Sequence, residues 1–296
     1  FKGSDEVYGN GGYDILYYDV EGWHDGVEVN FAQGTASHVA KFSGIEEVRG
    51  SHGNDTVTAV GYNTAIVVHA GDGDDIITGG SGNDTIYGEN GDDILRGEGG
   101  INDIRGGAGN DTIYVGDGSS SVNGDEGDDI IYGSPSDDVD IDGDEGDDTI
   151  YGGDGDDDLD GDEGDDTIYG GDGDDDLDGD EGDDTIYGGL GNDIIDGGEG
   201  VDTYKLNIAA FGDKVFDIKV DLVGGFSGLR DDQAYDLKDT LTNIENVDFS
   251  DVSWDLVLSG DAKANTLEGG TGNDIIDGGA GDDKISGGSG IDIFLL

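Results

Sequence analysis

The residues with the clearest chemical potential are acidic side chains that recur every nine residues. From Ala70 to Lys205 the chain repeats the pattern Gly-Gly-x-Gly-x-Asp-x-(Ile/Leu)-x, in fifteen nonapeptides plus one extra residue. The sixth position of this pattern is almost always Asp. Carboxylate oxygens combined with backbone carbonyls are ligands for hard divalent cations, and this mixture suits calcium better than magnesium, which prefers to keep its waters.

Stacking such carboxylates creates a need for counter-charge. Neighbouring sixth-position carboxylates at about 5 Å and an effective dielectric near 20 repel by roughly 3 kcal/mol per pair. No Lys or Arg lies between Gly106 and Tyr204 to offset this repulsion. We therefore predict Ca²⁺ as the cofactor of these positions. The predicted metal ligands are Asp75, Asp84, Asp93, Asn102, Asp111, Asp129, Asp148, Asp157, Asp166, Asp175, Asp184, Asp193, Asp202, Asp274, Asp283 and Asp292.

The repeat itself predicts the elements that position these ligands. The first six residues form a tight turn, which needs glycine because a Cβ would penalise the required conformations. The last three residues form a short strand whose middle residue faces the core, such as Ile77, Ile86 and Leu95. Two nonapeptides make one coil, and coils stack at about 4.8 Å. The predicted fold class is all-β, a parallel β-roll with short β-rich capping segments.

The nonapeptides resemble those of the RTX (repeats-in-toxin, hemolysin-type calcium-binding repeat) proteins of Gram-negative bacteria, of the adhesin or surface-layer kind. Ala70–Thr78, Gly79–Tyr87 and Gly88–Arg96 carry this resemblance most clearly. It implies an RTX solenoid filled with calcium and export by type I secretion. Each ion is then expected to bridge the turns of repeats i and i+2, with on the order of ten or more ions in all.

Three irregularities are expected to affect individual sites. Ser120 replaces Asp at one sixth position and is a poor ligand, whereas Asn102 at another ligates through its amide oxygen. Near Asp142 the repeat slips, because Gly133 to Gly143 is ten residues rather than nine. We expect these positions to reduce the number of calcium ions.

The composition indicates the compartment. Seventy-three acidic residues against twelve basic ones give a formal charge of −61, at which a compact metal-free chain would repel itself and would not bind nucleic acid. No apolar run is long enough for a membrane span, and there is no cysteine for a disulfide. Calcium sites of this type are empty at cytosolic calcium and filled outside cells, so we expect a chain that folds after export to the bacterial cell surface.

The segments outside the strict repeats form a duplicated pattern. Val27–Phe31 and Ile218–Leu222 alternate apolar and polar residues, as strands do, and each precedes a similar segment, Phe42–Ser51 and Leu241–Ser250. We therefore predict two copies of one larger unit. The predicted divisions are 1–69, a degenerate repeat plus β capping segment; 70–205, the main calcium-binding RTX β-roll; 206–259, a β-rich capping or insert segment; and 260–296, a second short RTX β-roll. A chain without Met whose repeats begin at residue 9 is expected to be part of a longer molecule.

Two outward faces differ in chemistry. One predicted sheet presents Tyr114, Tyr132, Tyr151, Tyr169 and Tyr187, and the opposite sheet presents Asp158, Asp160, Asp176 and Asp178. The Tyr face is either a flat binding surface for glycan, ice or protein, or a ladder that stabilises the sheet, which we favour. The Asp face binds further cations or, as we favour, is a solvated surface.

Signals for catalysis are poor. The four histidines lack the His-Glu-x-x-His spacing of zinc proteases. Gly225–Leu229 comes nearest to Gly-x-Ser-x-Gly but fails at its last position. Trp23 and His24 suit stacking on a sugar, or more readily the capping of an open roll end. We predict that the chain is not an enzyme.

Two classes of function remain. In the first, the chain is an extracellular calcium-binding structural or adhesive surface protein whose rolls become rigid on binding Ca²⁺ after secretion. In the alternative, it is the non-catalytic calcium-binding secretion and folding module of a secreted protease, lipase or polysaccharide-modifying enzyme. The duplicated unit favours the first class. The expected partners are calcium and, beyond it, copies of itself, neighbouring surface proteins or cell-surface polysaccharide.

Overall fold

Short β-strands are the regular elements of the described chain, and no helix occurs among them. The computed structural model describes residues 5–18, 25–118, 120–136, 140–206, 217–222, 226–230 and 238–295. The all-β prediction is therefore confirmed, and no described element could cross a bilayer as a helix. The predicted roles of Trp23 and His24 lie outside the described residues. The chain divides into unit 1 (Phe1–Thr149) and unit 2 (Ile150–Leu296).

Unit 1 contains two β-sheets whose strands alternate along the chain. Its first sheet has the order β1-β5-β4-β3-β7-β9-β11-β13-β15, and its second sheet has the order β2-β6-β8-β10-β12-β14-β16. The strands are β1 (Asp5–Tyr8), β2 (Ile15–Tyr17), β3 (Glu28–Asn30), β4 (Thr35–Ala36), β5 (Val39–Ser43), β6 (Glu47–Arg49), β7 (Thr56–Thr58), β8 (Val67–Asp72), β9 (Ile76–Thr78), β10 (Thr85–Asn90), β11 (Ile94–Arg96), β12 (Asp103–Ala108), β13 (Thr112–Tyr114), β14 (Ser121–Glu126), β15 (Ile130–Tyr132) and β16 (Asp140–Glu145).

Unit 2 has the same alternation of two sheets. Within it the first sheet has the order β17-β19-β21-β23-β27-β29-β31, and the second has the order β18-β20-β22-β26-β25-β24-β28-β30-β32. The strands are β17 (Thr149–Asp154, which starts at the boundary), β18 (Asp158–Asp160), β19 (Thr167–Asp172), β20 (Asp176–Asp178), β21 (Thr185–Leu190), β22 (Ile194–Asp196), β23 (Thr203–Lys205), β24 (Asp217–Asp221), β25 (Phe226–Arg230), β26 (Lys238–Thr242), β27 (Asn246–Asp248), β28 (Leu256–Ser259), β29 (Thr266–Glu268), β30 (Ile275–Asp277), β31 (Lys284–Ser286) and β32 (Ile293–Leu295).

The strand register follows the double nonapeptide. Ile86 pairs with Ile104 in parallel, and Leu159 pairs with Leu177, so equivalent residues are two repeats apart. One coil therefore contains two nonapeptides, and each unit is a parallel β-roll, as predicted. The extra residue of the chain lies before β16, because Val122 pairs with Ile141 across nineteen residues rather than eighteen.

The core is a double row of aliphatic side chains, one from each short strand. The predicted core residues Ile77, Ile86 and Leu95 have no exposed surface, and neither has Ile141, which follows the slip in the repeat. In most three-residue strands a buried residue lies between two outward ones, because successive side chains point to opposite faces; β31 and β32, at the end of the described chain, bury no residue. Full burial of such a side chain contributes about 1.5–3 kcal/mol.

Glycine at the fourth position of the repeat allows coils to stack closely. Gly91 has φ 133°, which lies in the region that residues with a Cβ rarely adopt. A Cβ on Gly91 would lie 2.1 Å from the carbonyl oxygen of Gly73, one coil earlier. Close approach of the two backbones, as well as the turn itself, therefore requires glycine.

An antiparallel insert interrupts one sheet of each unit. In unit 1, β4 pairs antiparallel with β3 and β5, while β3 pairs parallel with β7 and β5 with β1. In unit 2, β25 pairs antiparallel with β24 and β26, while β24 pairs parallel with β28 and β26 with β22. These inserts are the predicted β-rich capping segments, and each has roll strands on both of its sides.

The core assignment predicts a large effect for Leu177→Ala. Because Leu177 is fully buried, we expect the substitution to lower the free energy of unfolding of the calcium-loaded protein by about 2–5 kcal/mol. Chemical denaturation in saturating calcium measures this change. Ile194→Ala is the control, since its side chain is 53% exposed and points outward, and we expect less than about 0.5 kcal/mol. Equal effects of the two substitutions would contradict the assigned core.

Candidate metal centre in the turn columns

The sixth-position residues of successive coils form vertical rows, here called turn columns. In unit 1 the first turn column runs through Asp55, Asp75, Asp93, Asp111, Asp129 and Asp148. Each residue precedes a core residue of the first sheet by two positions, so the turn before every strand delivers one carboxylate to the same place. All six are at most 1% exposed.

One oxygen of each column carboxylate is held by the backbone. The N–H of Asp75 donates to Oδ1 of Asp93 at 2.7 Å, and the N–H of Asp93 donates to Oδ1 of Asp111 at 2.7 Å. The N–H of Asp111 continues the series with a 2.6 Å bond to Asp129. Every coil therefore fixes the carboxylate of the next, which sets the orientation of the second oxygen.

The second oxygen, Oδ2, is buried and accepts no hydrogen bond. This holds in the described part of the chain for a set of column residues in both units. They are Asp75, Asp93, Asp111 and Asp129 in unit 1, and Asp175, Asp184, Asp193, Asp202 and Asp274 in unit 2. A buried carboxylate oxygen without a partner is costly, so each of these atoms marks a place where a cation would bind favourably.

At several of these oxygens a backbone carbonyl lies close by, in a space that the first glycine of the repeat leaves open. A Cβ on Gly88 would lie 2.3 Å from Oδ2 of Asp93 and 2.4 Å from the carbonyl oxygen of Gly106. In unit 2, a Cβ on Gly170 would lie 2.3 Å from Oδ2 of Asp175. The first glycine of the repeat thus leaves a cradle lined by carboxylate and carbonyl oxygens, which is the donor set of calcium.

Side-chain ligands alone would not form this site. In the described residues no three His, Cys, Asp or Glu side chains are grouped so that they could hold a metal ion together. A metal site in these turns would therefore include backbone carbonyls, which the glycine-rich turns bring close to the carboxylates. The residues fit a hard oxygen-binding cation such as Ca²⁺, which would supply counter-charge to the column when bound.

Burial strongly raises the pKa of these carboxyls. It raises the pKa of Asp75 and Asp129 to about 8 and that of Asp93 and Asp111 to about 7, with neighbouring carboxylates adding to the effect. In unit 2, burial and the nearby Asp239 raise the pKa of Asp193 to about 8. Without a counter-ion these groups keep a proton to a higher pH than an exposed aspartate does.

The second turn column of unit 1 has a different composition. It runs through Ile66, Asp84, Asn102 and Ser120, linked by N–H bonds to Oδ1 of Asp84, Oδ1 of Asn102 and Oγ of Ser120. Asp84 has both oxygens bonded, because Oδ2 accepts the N–H of Gly80 at 2.7 Å. Asn102 turns Nδ2, rather than an oxygen, toward its cradle.

In unit 2 the predicted ligands form two columns. Asp166, Asp184 and Asp202 stand in the first, and Asp157, Asp175 and Asp193 in the second. Farther along the chain, Asp274 is fully buried and its N–H donates to Oδ1 of Asp292 at 3.1 Å. Asp283 and Asp292, in the last described coil, are only half-buried.

Sequence reasoning missed several members of these columns. The structure adds Asp14, Glu46, Asp55, Asp239, Glu245 and Asn265. Asp14, Asp55 and Asn265 stand at the sixth position of recognisable nonapeptides, so the repeat phase could have identified them. Glu46 and Glu245 occupy matching places in the two similar segments Phe42–Ser51 and Leu241–Ser250, which was the available signal for both.

The stacked coils and their oxygen-lined turns define a calcium-binding β-roll protein. A family model described as the RTX calcium-binding nonapeptide repeat matches residues 2–19, 69–104, 105–139, 140–168, 169–204 and 259–294. These matches cover more than half of the chain, which therefore belongs to the RTX calcium-binding nonapeptide repeat family. Such repeats are typically structural modules of secreted proteins. No curated protein matches the chain.

The raised pKa values predict how stability changes with pH. The folded carboxyls titrate at about 7–8, above their unfolded value near 4, so the folded metal-free chain binds more protons in this range. Its stability should therefore be greatest at low pH and fall as the pH rises from about 4 to about 8. Circular dichroism of the EDTA-treated protein across this range measures the loss of β structure.

A matched variant isolates the first turn column of unit 1. The triple substitution Asp93→Asn, Asp111→Asn and Asp129→Asn removes three of the raised pKa values and should flatten the pH dependence of the metal-free protein. Metal-free protein that is more ordered at about pH 8 than at about pH 5 would contradict the assignment.

Proposed function

We propose that this chain is an extracellular calcium-binding structural and adhesive surface protein of a bacterium, whose rolls fold and become rigid on binding Ca²⁺ after type I secretion. The row of buried Oδ2 atoms without hydrogen-bond partners, from Asp75 to Asp129, carries this proposal. The proposal includes calcium ligation by the predicted sixth-position residues. It also includes the division of the chain into two rolls separated by a β-rich insert segment.

The dependence of folding on calcium follows from the absence of any preformed site in the unfolded chain. The turn columns exist only when coils stack, so the free energy of metal binding becomes free energy of folding. At the low calcium concentration of the cytosol the carboxylates would repel one another, and the chain would stay unfolded and fit for export. Millimolar extracellular calcium would then drive folding.

Duplication supports the structural and adhesive role. Each unit combines a roll with a three-stranded antiparallel insert of the same pairing pattern, β3–β5 in unit 1 and β24–β26 in unit 2. A secretion and folding module requires only one roll, whereas repeated units suit a rigid spacer. Copies of this chain, neighbouring surface proteins and cell-surface polysaccharide are the partners that we propose for it.

The ring contacts within the Tyr face favour a role in stabilising the sheet over a role in stacking on a ligand. In unit 1 the rings of Tyr114 and Tyr132 stack with centroids 4.9 Å apart, and Arg96 lies 4.8 Å from the Tyr114 ring. In unit 2, Tyr169 stacks on Tyr151 at 4.7 Å and on Tyr187 at 4.4 Å. Since these rings cover the faces of one another, they leave edges and hydroxyl groups, rather than open ring faces, for a partner.

Removal of calcium tests the proposed folding step. We expect EDTA at neutral pH to abolish most of the β-sheet circular dichroism signal, and millimolar Ca²⁺ to restore it, because the column carboxylates lose and regain their counter-charge. Addition of Mg²⁺ at the same ionic strength is the control and should restore little. An unchanged β signal after chelation would refute calcium-driven folding.

The stacked tyrosines predict a stability effect for Tyr169→Ser. Because Tyr169 contacts two stacked rings, its removal should lower the free energy of unfolding of the calcium-loaded protein by about 1–3 kcal/mol. Asp176→Ser, at an exposed strand position of the opposite sheet, is the control, with an expected change below about 0.5 kcal/mol. If Tyr169→Ser instead abolished attachment or self-association at unchanged stability, the Tyr face would be a binding surface.

A further inference from the structure

Next to the insert, the first turn column of unit 2 contains a glutamate, Glu245, in place of the usual aspartate. Because Tyr204 pairs with Val247, the sixth position of the coil after Asp202 is occupied by Glu245. Oε2 of Glu245 accepts the N–H of Asp202 at 3.2 Å, which is the role that Oδ1 has in the column aspartates. The other oxygen, Oε1, is in contact with the ammonium group of Lys263.

Both carboxylate oxygens of Glu245 therefore have protein partners. Asp184 and Asp202 differ, since their Oδ2 atoms have no hydrogen-bond partner in the described part of the chain. The side chain of Glu245 is only 8% exposed, whereas that of Lys263 is 56% exposed. A buried carboxylate needs a counter-charge close by, and at this step of the column the chain supplies one itself.

Lys263 stands where the repeat normally has no side chain. It occupies the fourth position of the nonapeptide Gly260–Glu268, a position that is glycine in Gly269–Asp277 and Gly278–Ser286. Its N–H donates to Oδ1 of Asp261 at 2.7 Å. The turn is also tied to the preceding coil, because Nδ2 of Asn265 donates to the carbonyl oxygen of Glu245 at 2.9 Å. These bonds hold Lys263 so that its side chain reaches back by one coil.

The opposite column also ends on protein partners at the insert. Asp239 occupies the sixth position after Asp193, since Ile195 pairs with Leu241. Oδ1 of Asp239 accepts the N–H of Asp193 at 3.4 Å, and Oδ2 accepts the hydroxyl of Tyr204 at 2.5 Å. In the coil next to the insert, the sixth-position carboxylates on both sides, Glu245 and Asp239, therefore have a protein partner for each of their oxygens.

We propose that the ammonium group of Lys263 takes the place of a calcium ion between the turns of Glu245 and Asn265, so that this step of the column needs no metal. Asn265 fits this role because it is neutral and adds no charge to be compensated. The two coils from Lys238 to Glu268 then form a metal-independent joint within unit 2, next to coils that depend on calcium. This inference does not require the proposed surface role.

Hydrogen exchange measured by mass spectrometry in EDTA tests the proposal on the full chain. We expect peptides from residues 238–268 to exchange more slowly than peptides from residues 157–190, whose column depends on metal. Lys263→Met keeps the aliphatic stem and removes the charge, and it should make residues 238–268 exchange at least about tenfold faster in EDTA. Wild-type protein without this difference, or an unchanged Lys263→Met variant, would overturn the proposal.

Three further variants separate charge from packing. Lys263→Arg keeps the charge and should retain the protection. Lys284→Met makes the same change of net charge at a 76% exposed lysine, 3.7 Å from Glu268, and should leave residues 238–268 unaffected. Adding Glu245→Gln to Lys263→Met removes the uncompensated carboxylate and should restore part of the protection. Loss of protection in Lys263→Arg or Lys284→Met, or no recovery in the double variant, would also refute the role of Lys263.

Discussion

A buried row of like charges is the constraint on which the rest of the structure depends. In the first turn column of unit 1, Asp93, Asp111 and Asp129 are each 1% exposed and one coil apart. Backbone N–H groups satisfy one oxygen of each carboxylate and leave the other buried without a partner. Protons or a divalent cation must neutralise the column, so the protonation state, the metal and the stacking of the coils belong to one equilibrium.

Glycine and aspartate act together in this equilibrium. A Cβ on Gly106 would lie 2.3 Å from Oδ2 of Asp111 and 2.5 Å from the carbonyl oxygen of Gly124. A Cβ on Gly106 would therefore occupy the space that a cation bound by these two oxygens would need. Glycine at the first position keeps a binding space open, whereas glycine at the fourth position lets neighbouring backbones approach. The two positions also differ in conformation, because Gly91 has a positive φ whereas Gly88 and Gly106 do not.

Most of the roll could be predicted from the sequence because its repeats are regular. Residues near the insert, where the nine-residue period is broken, could not be predicted in the same way. The nine-residue period correctly predicted the core positions of Ile77 and Leu95, because one local pattern specifies both the turn and the strand. Glu245 and Asp239 could not be found in this way, because the chain leaves the roll through the insert and re-enters it out of phase. Strand pairing places both at sixth positions, and of the two only Glu245 has a signal in the sequence, its match with Glu46.

The charge that a cation would have to balance differs from coil to coil, because the residue at the sixth position differs. In the second turn column of unit 1, Ile66 and Ser120 carry no charge, and both oxygens of Asp84 accept backbone N–H groups. Backbone N–H groups thus satisfy Asp84 fully, whereas Nδ2 of Asn102 has no hydrogen-bond partner in the described part of the chain. The coils on which Asp84 stands are nevertheless stacked in the same register as the others. Stacking in this register therefore does not require a charged residue at every sixth position; under the proposed ligation, the carboxylates would set the ionic conditions in which the stacked form is stable.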